Sequence, residues 1–251
     1  MRTTRLTSLA LGLVCLIACG PSKTDTDAMK ADQKAILAKI GDLEKALQQA
    51  KAAPPPPSPR QPVDPDKIYN IPVDRAPVRG ATDAKVTIVT FSDFECSFSA
   101  MANTMIAEVL KDYPRDVKFI YKQFPLTTVH PGAMLAAKAA VAAGKQGKFW
   151  EMHDLLFDLA QHSAEVPDPA KIDKFAREYA AKIGLDVAQW DKDFHSAQVE
   201  EEISKDIFDG RAADVIGTPT IFIAGRRLQK GSVDGFKEMI DEALKKTDGK
   251  G

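Results

Sequence analysis

The alternation of short strand-like runs with longer helical patterns limits the fold of this chain more than any other feature. Three runs rich in β-branched and aromatic residues have the composition of buried strands, namely VTIVTF at 86–91, VKFIYKQF at 117–124 and TPTIFIA at 218–224. A helical pattern follows the first run, and a longer helical stretch covers about 130–210. This order predicts an α/β fold with one large helical insertion.

The end of the insertion and the closing elements also have readable patterns. One helix is expected over 187–209, because apolar residues recur there at helical spacing: Trp190, Phe194, Val199, Ile203 and Ile207. A turn at 224–226, a short strand at 227–229 and a helix over 236–244 should follow. The globular domain is predicted to span 67–247.

The amino terminus is typical of an export signal. Arg2 and Arg5 precede the apolar run LALGLVCLIA at 9–18, which is too short to cross a bilayer as a helix. Residues 16–19, LIAC, resemble the lipobox of a bacterial lipoprotein, which implies removal of residues 1–18 and a lipid thioether on Cys19. Cleavage of a plain secretory signal nearby is the alternative. Both interpretations predict export, and the first predicts a bacterial cell-envelope protein anchored to a membrane and facing the periplasm.

Cysteine usage limits the redox chemistry. Cys15 falls in the predicted signal and lipid would block Cys19, so Cys96 is the remaining free thiol. A lone thiol in an oxidising compartment cannot form an intramolecular disulfide. Any disulfide chemistry at Cys96 must therefore involve a second molecule.

Residues 19–53 are predicted to form a tether, and residues 54–66 a Pro-rich, extended linker. Within the tether, apolar residues at 29–50 repeat at spacings of three and four, as in a coiled-coil seam. A homo-oligomer formed through 29–50 and a single spacer helix are both compatible with this pattern.

Charge and composition argue against several other functions. The formal net charge is −1, with 34 basic and 35 acidic residues, so no nucleic-acid partner is expected. The four histidines show no metal-ligand spacing, and no Gly-rich phosphate loop stands out. We therefore expect neither a metal nor another cofactor.

Three segments in the expected order resemble the DsbA-like branch of the thioredoxin fold. They are FSDFECSFS at 91–99, His130 followed by GKFWEMHDLLF at 147–157, and IGTPT at 216–220. The resemblance covers roughly 71–244. It implies a thioredoxin fold with a large helical insertion, and thiol–disulfide exchange with exported proteins that carry thiols or disulfides.

The resemblance also implies roles for individual residues. Cys96 corresponds to the attacking cysteine at the start of a helix, where backbone N–H groups and the helix dipole favour a thiolate. Ser99 stands where the family has its resolving cysteine. Thr218 and a cis Pro219 would pair with substrate backbone, and Phe98 would contact the substrate. An external thiol or redox partner would then have to resolve the mixed disulfide.

The surroundings of the thiol can be predicted in outline. Three phenylalanines are expected to exclude water from the sulfur: Phe91, Phe94 and Phe98. The Ser99 hydroxyl is expected to donate a hydrogen bond to the Cys96 thiolate. The flanking carboxylates, Asp93 and Glu95, are expected to be solvated.

Three functional hypotheses follow. The leading one is a thiol–disulfide oxidoreductase that works as a monothiol through Cys96, with isomerase-like or thiol-protecting chemistry. The second is a non-catalytic, peptide-binding chaperone or scaffold that uses the groove beside Pro219. The third is an enzyme that conjugates a small thiol such as glutathione, which an exported location disfavours.

Overall fold

The computed structural model describes residues 30, 33–37, 39–41, 64–162 and 169–248. The chain divides into two units, Met1–Pro54 and Pro55–Gly251. In the first unit the described residues are helical, and Ile36, Leu37 and Ile40 expose much of their side chains. The predicted signal at 1–18, Cys19 and most of the linker at 54–66 lie outside the described residues.

A five-stranded mixed sheet organises the second unit. Its strands are β1 (Val78–Gly80), β2 (Val86–Ser92), β3 (Val117–Gln123), β4 (Thr220–Ile223) and β5 (Arg226–Arg227), in the spatial order β1-β3-β2-β4-β5. The central strands β2 and β3 are parallel, with Val86 opposite Val117, and the other pairs are antiparallel. The predicted α/β fold is confirmed.

Seven helices of the second unit surround this sheet in the described part of the chain. They are α1 (Ser97–Asp112), α2 (Ala133–Lys145), α3 (Phe149–His162), α4 (Pro169–Lys182), α5 (Val187–Phe194), α6 (Ala197–Ala212) and α7 (Val233–Asp248). Helices α2–α6 form the predicted insertion. All seven alanines of α2 are buried, and their small side chains let this helix pack against α3, α4, α5 and α6.

Apolar side chains cover both faces of the sheet. On one face, Ile88 and Phe119 pack with residues of α1, α7 and the insertion in the largest core cluster. On the other face, Phe91, Ile120 and Phe222 pack with residues of the flanking loops. Burial on both faces explains why β2 and β3 read as continuous apolar runs.

The insertion departs from prediction at its carboxyl end. The single helix expected over 187–209 was wrong, because the chain breaks at His195 and Ser196 into α5 and α6. The Ser196 hydroxyl accepts a hydrogen bond from the backbone N–H of Val199 at 3.3 Å and caps the second helix. The apolar residues keep helical spacing across this break, so the sequence pattern did not indicate it.

The sheet edges also differ from prediction. The sequence did not indicate β1, which is only three residues long and ends in a glycine. At the other edge the turn consists of Ala224 and Gly225, both with positive φ. The last strand therefore begins at Arg226 and ends at Arg227, instead of covering 227–229.

Candidate functional site

Cys96 lies between the end of a central strand and the start of a helix, as predicted. Strand β2 ends at Ser92, and Cys96 is the N-cap residue of α1. The first turn of a helix has backbone N–H groups without helical partners and the positive end of the helix dipole, and Cys96 lies at this end of α1 without a side-chain hydrogen bond to the turn. The Cys96 side chain is buried and is a free thiol.

The thiol contacts the loop before β4. Cys96 Sγ donates to the carbonyl oxygen of Thr218 at 3.3 Å, and the Thr218–Pro219 peptide bond is cis. Pairing of Phe91 with Thr220 across β2 and β4 brings this loop to the end of the strand that leads to the cysteine. The structure thus brings together Cys96, Thr218 and Pro219.

Ser99 lies on the first turn of α1 and is buried. Its hydroxyl oxygen accepts from the backbone N–H of Asp93 at 3.5 Å. This contact differs from the predicted donation to the Cys96 sulfur. Through this contact, Ser99 supports the turn that carries the thiol.

The expectation that Asp93 is solvated was wrong. Its carboxylate is fully buried. One oxygen accepts from the backbone N–H of Glu95 at 2.9 Å. The other accepts from the N–H of Leu126 at 2.9 Å and lies 2.8 Å from Nδ1 of His130. Asp93 therefore joins the turn at residues 93–96, which carries the thiol and is called the thiol turn, to the segment that leads into the insertion.

Glu95 is also partly buried, contrary to the same expectation. Its Oε2 accepts from the backbone N–H of Gly132 at 2.9 Å, and its Oε1 has no hydrogen-bond partner. Burial raises the pKa of Glu95; the Asp93 charge adds to this shift, while the Gly132 hydrogen bond and His130 oppose it. A Cβ on residue 132 would lie 2.5 Å from Oε1, so a larger residue there would displace the Glu95 carboxylate.

Sequence reasoning could have found only part of this carboxylate cluster. An aspartate just before a helix often accepts the N–H two residues further on, so the turn formed by Asp93 was readable. The partners Leu126, His130 and Gly132 are more than thirty residues away along the chain, and no local pattern connects them to the turn.

The three phenylalanines near the thiol have different surroundings. Phe91 and Phe94 are buried, and the ring of Phe94 stacks on Tyr121 with 5.1 Å between centroids. Phe98 exposes 68% of its surface, so its predicted role in excluding water was wrong. Met101, Val129 and Ile216 are exposed as well. All four exposed side chains belong to the segments that carry Cys96, His130 and Thr218.

The other histidine of the quoted motif has a structural role. His153 is fully buried among aromatic rings, including those of Trp150 and Phe157 at 4.9 Å. Burial lowers the pKa of His153, which favours the neutral imidazole. Among the described residues, no group of three or more His, Cys, Asp or Glu side chains is placed to hold a metal ion.

Comparison with known proteins agrees with this geometry. The family model described as Thioredoxin matches residues 73–242, more than half of the chain. The chain belongs to the thioredoxin family. Its similarity to solved structures shows a DsbA-like thioredoxin fold. Oxidised BdbD from Bacillus subtilis is 23% identical, with a TM-score of 0.62 over 71% of this chain and 97% of that one. Wolbachia pipientis alpha-DsbA1 is 15% identical, with a TM-score of 0.60 over 72% and 96%.

Curated relatives of this thioredoxin-family chain include much longer proteins. The Na(+)/H(+) antiporter NhaA 3 of Salinispora tropica is 39% identical over 166 residues, which are 66% of this chain and 23% of the antiporter. The chain spans about a quarter of the length of such relatives. In the described part of this chain, no helix has the length and apolar character needed to cross a membrane.

Proposed function

We propose that this protein is a cell-envelope thiol–disulfide exchange protein that acts as a monothiol through Cys96. The observation that carries the proposal is the thiol at the N-terminus of α1, in contact with the Thr218 carbonyl beside a cis proline. Ser99 occupies the position where a second thiol would complete a dithiol site. Attack on a disulfide needs only the first thiol, so the first half of exchange is retained.

The reaction runs in two balanced steps. The Cys96 thiolate attacks a substrate disulfide; a new S–S bond forms to Cys96, the substrate S–S bond breaks, and the released thiolate takes a proton from water. A thiol of the substrate, or an external thiol, then attacks the mixed disulfide and expels Cys96 as thiolate. No net oxidation occurs when the substrate's own thiol resolves it. The outcome is isomerisation or thiol protection.

The rim of the site suits exposed segments of exported proteins. Phe98, Met101, Val129 and Ile216 present apolar side chains near the residues that carry the chemistry. The backbone of Thr218 beside Pro219 can pair with an extended peptide. A peptide held by such contacts would bring its disulfide to the buried sulfur of Cys96.

Location and assembly complete the proposal. Cys19 would carry a lipid that anchors the protein in the cell envelope, facing the periplasm. Ile36 and Ile40 are exposed on described helical residues and occupy heptad core positions, which supports a homo-oligomer through 29–50. Replacement Cys19→Ser is expected to move the protein from the membrane fraction to the soluble fraction.

The thiol chemistry is tested by trapping adducts of the full chain in a bacterial host. Cells are quenched with acid and N-ethylmaleimide, and adducts are identified on non-reducing gels by mass spectrometry. Wild type should form reducible adducts with exported proteins, and Cys96→Ser should form none. Adducts that persist unchanged in Cys96→Ser would overturn the proposal.

A matched variant tests the role of position 99. Ser99→Cys supplies a resolving thiol at millimolar effective concentration, so adducts should be released and fall several-fold in abundance. An unchanged adduct level would show that position 99 does not face the mixed disulfide.

The second candidate is a peptide-binding scaffold, which the exposed apolar rim favours. It predicts that Cys96→Ser binds a reduced, unfolded polypeptide as tightly as wild type does. It also predicts that Phe98→Ser together with Met101→Ser weakens binding. Catalysed reshuffling of a scrambled disulfide protein by wild type, lost in Cys96→Ser, would reject binding as the whole function.

A further inference from the structure

His153, on α3, is a buried imidazole with one of its two ring nitrogens unpaired. Its side chain is fully buried, and its Nδ1 lies 2.7 Å from Oδ1 of Asp154. Its Nε2 is also buried and has no hydrogen-bond partner among the described residues. One side of the ring is therefore paired with a carboxylate, and the other side faces the core without a polar partner there.

Asp154 decides which nitrogen of His153 carries the proton. Burial opposes ionisation of Asp154, but hydrogen bonds from His153 and Arg79 outweigh that effect and lower its pKa. The carboxylate is therefore charged at neutral pH and can only accept, so Nδ1 of His153 donates and Nε2 carries the lone pair. A second proton would have to bind at Nε2, where the described residues offer no acceptor for the new N–H.

Aromatic rings surround this imidazole and connect it to the thiol turn. Ring centroids lie 4.9 to 5.9 Å from that of His153 for Phe94, Tyr121, Phe149, Trp150 and Phe157. Phe94 belongs to the thiol turn, and its ring also contacts those of Tyr121 and Phe157, with 5.1 and 4.9 Å between centroids. The turn that carries Cys96 therefore shares one cluster of buried rings with His153.

The groups that face His153 oppose its protonation on balance. Burial lowers the pKa of His153, Asp154 acts in the opposite direction, and the guanidinium of Arg79 on β1 adds to the lowering. Arg79 also lies 2.8 Å from Oδ2 of Asp154, so this carboxylate already has a cationic partner. Tyr121, which contacts the imidazole from β3, stays neutral because burial raises its pKa well above the usual value.

We propose that His153 forms an acid-sensitive contact between helix α3 and the thiol turn. While the imidazole is neutral, the rings pack around it, Phe94 stays in place and Cys96 stays buried. When the imidazole gains a proton, a charge and an unpaired N–H enter the ring cluster, which loosens the packing on Phe94 and makes Cys96 more accessible. The consequence for exchange rests on the function proposed above, whereas the loosening of the thiol turn does not.

The accessibility of Cys96 tests this contact in the full-length protein. The rate of reaction with 4,4′-dithiodipyridine, which still modifies thiols in mild acid, is measured at pH 5 and pH 7 with Cys96→Ser as the blank. The ratio of the two rates is compared with that of His153→Phe, which keeps a ring and cannot gain a proton. The ratio should be about three- to tenfold larger in wild type. Equal ratios would overturn the proposal. His195→Phe is the matched control, because His195 is an exposed imidazole, and its ratio should match wild type.

Urea unfolding separates a titration of His153 from a simple loss of packing. A histidine whose pKa is lowered by folding binds its proton more readily in the unfolded chain, so the folded state is favoured above the ordinary value of 6.5 and loses that advantage as the pH falls. Between pH 7 and pH 5 the unfolding equilibrium constant should therefore rise about tenfold more in wild type than in His153→Phe. A variant that differs from wild type by the same factor at both pH values would overturn the proposal.

A titration of wild type by NMR keeps the test decisive where His153→Phe fails to fold. His153 is identified by the proximity of its ring protons to those of Trp150 and Phe157, and it should stay neutral below pH 6.5 while the native spectrum persists. If the faces of the aromatic rings instead held the imidazolium, His153 would titrate at or above that value, and the proposal would be overturned. Adduct trapping at pH 7 reports independently on the proposed function, so an acid-dependent rise in Cys96 reactivity without adducts would support the contact and reject exchange.

Discussion

Two groups of buried carboxylates in this protein are held in different ways. At the thiol, Asp93 accepts backbone N–H groups and contacts one imidazole. Beside the end of β3, Asp206 and Asp209 of α6 contact the buried ammonium of Lys122 at 2.6 and 2.9 Å. The first group relies on backbone N–H groups and one imidazole, and the second on the ammonium groups of Lys122 and Lys205 and the backbone N–H of Gln123.

The difference separates a cluster held by charged side chains from one held mainly by backbone N–H groups. Burial lowers the pKa of Lys122, but Asp206 and Asp209 outweigh that effect and raise it, so the lysine is charged at neutral pH. We therefore expect changes at Lys122 to alter stability most, and changes around Asp93 to alter it less.

The largest predicted effect is on stability, in Lys122→Met. This change removes the ammonium 2.6 Å from Asp206 and leaves Asp209 to the exposed Lys205 at 3.2 Å, and removing one partner of a buried ion pair costs about 3–5 kcal/mol. Urea unfolding at pH 7 measures the loss. Alkylation of Cys96 in the remaining folded protein should stay within about twofold of wild type. A loss below about 1 kcal/mol would contradict the assigned role of the cluster.

A smaller loss of stability is expected from Gly132→Ala, which crowds the Glu95 side chain near the thiol. The new Cβ would lie 2.5 Å from Glu95 Oε1 and 2.9 Å from Ile172 Cγ1, and overpacking of this kind costs about 1–3 kcal/mol. Thermal unfolding and the alkylation rate should both change, because the clash displaces Glu95 from the thiol turn. Gly231→Ala is the control, since its Cβ would meet no atom within 4 Å.

The smallest effect is expected for Glu95→Gln, and its dependence on pH is the informative part. A carboxyl whose pKa is raised by folding favours the folded state at low pH and loses that advantage as the pH rises through its folded value. The glutamine variant should therefore be more stable than wild type at pH 7, by less than about 1 kcal/mol because the group is partly exposed. This gain in stability should vanish at pH values below the ordinary pKa of a glutamate side chain. Urea unfolding at pH 7 and pH 4 checks the sign.

Most of the fold, and the residues around the thiol, could be predicted from local sequence patterns. Runs such as 86–91 and 117–124 specify strands by composition, and Cys96 follows the first of them at the start of a helix. The break at Ser196 was missed because apolar spacing continues across it. The burial of Asp93 was missed because its partners come from residues distant in the chain, which no spacing rule reveals.

The sheet edges described above bear on how the protein behaves at high concentration. The outer strands β1 and β5 contain three and two residues, and both carry arginine: Arg79 in one, Arg226 and Arg227 in the other. Short, charged outer strands offer few free backbone groups to a neighbouring sheet and resist edge-to-edge aggregation. Under the proposed function this arrangement would matter, because an extended substrate segment bound near β4 would find few free backbone groups at either outer strand.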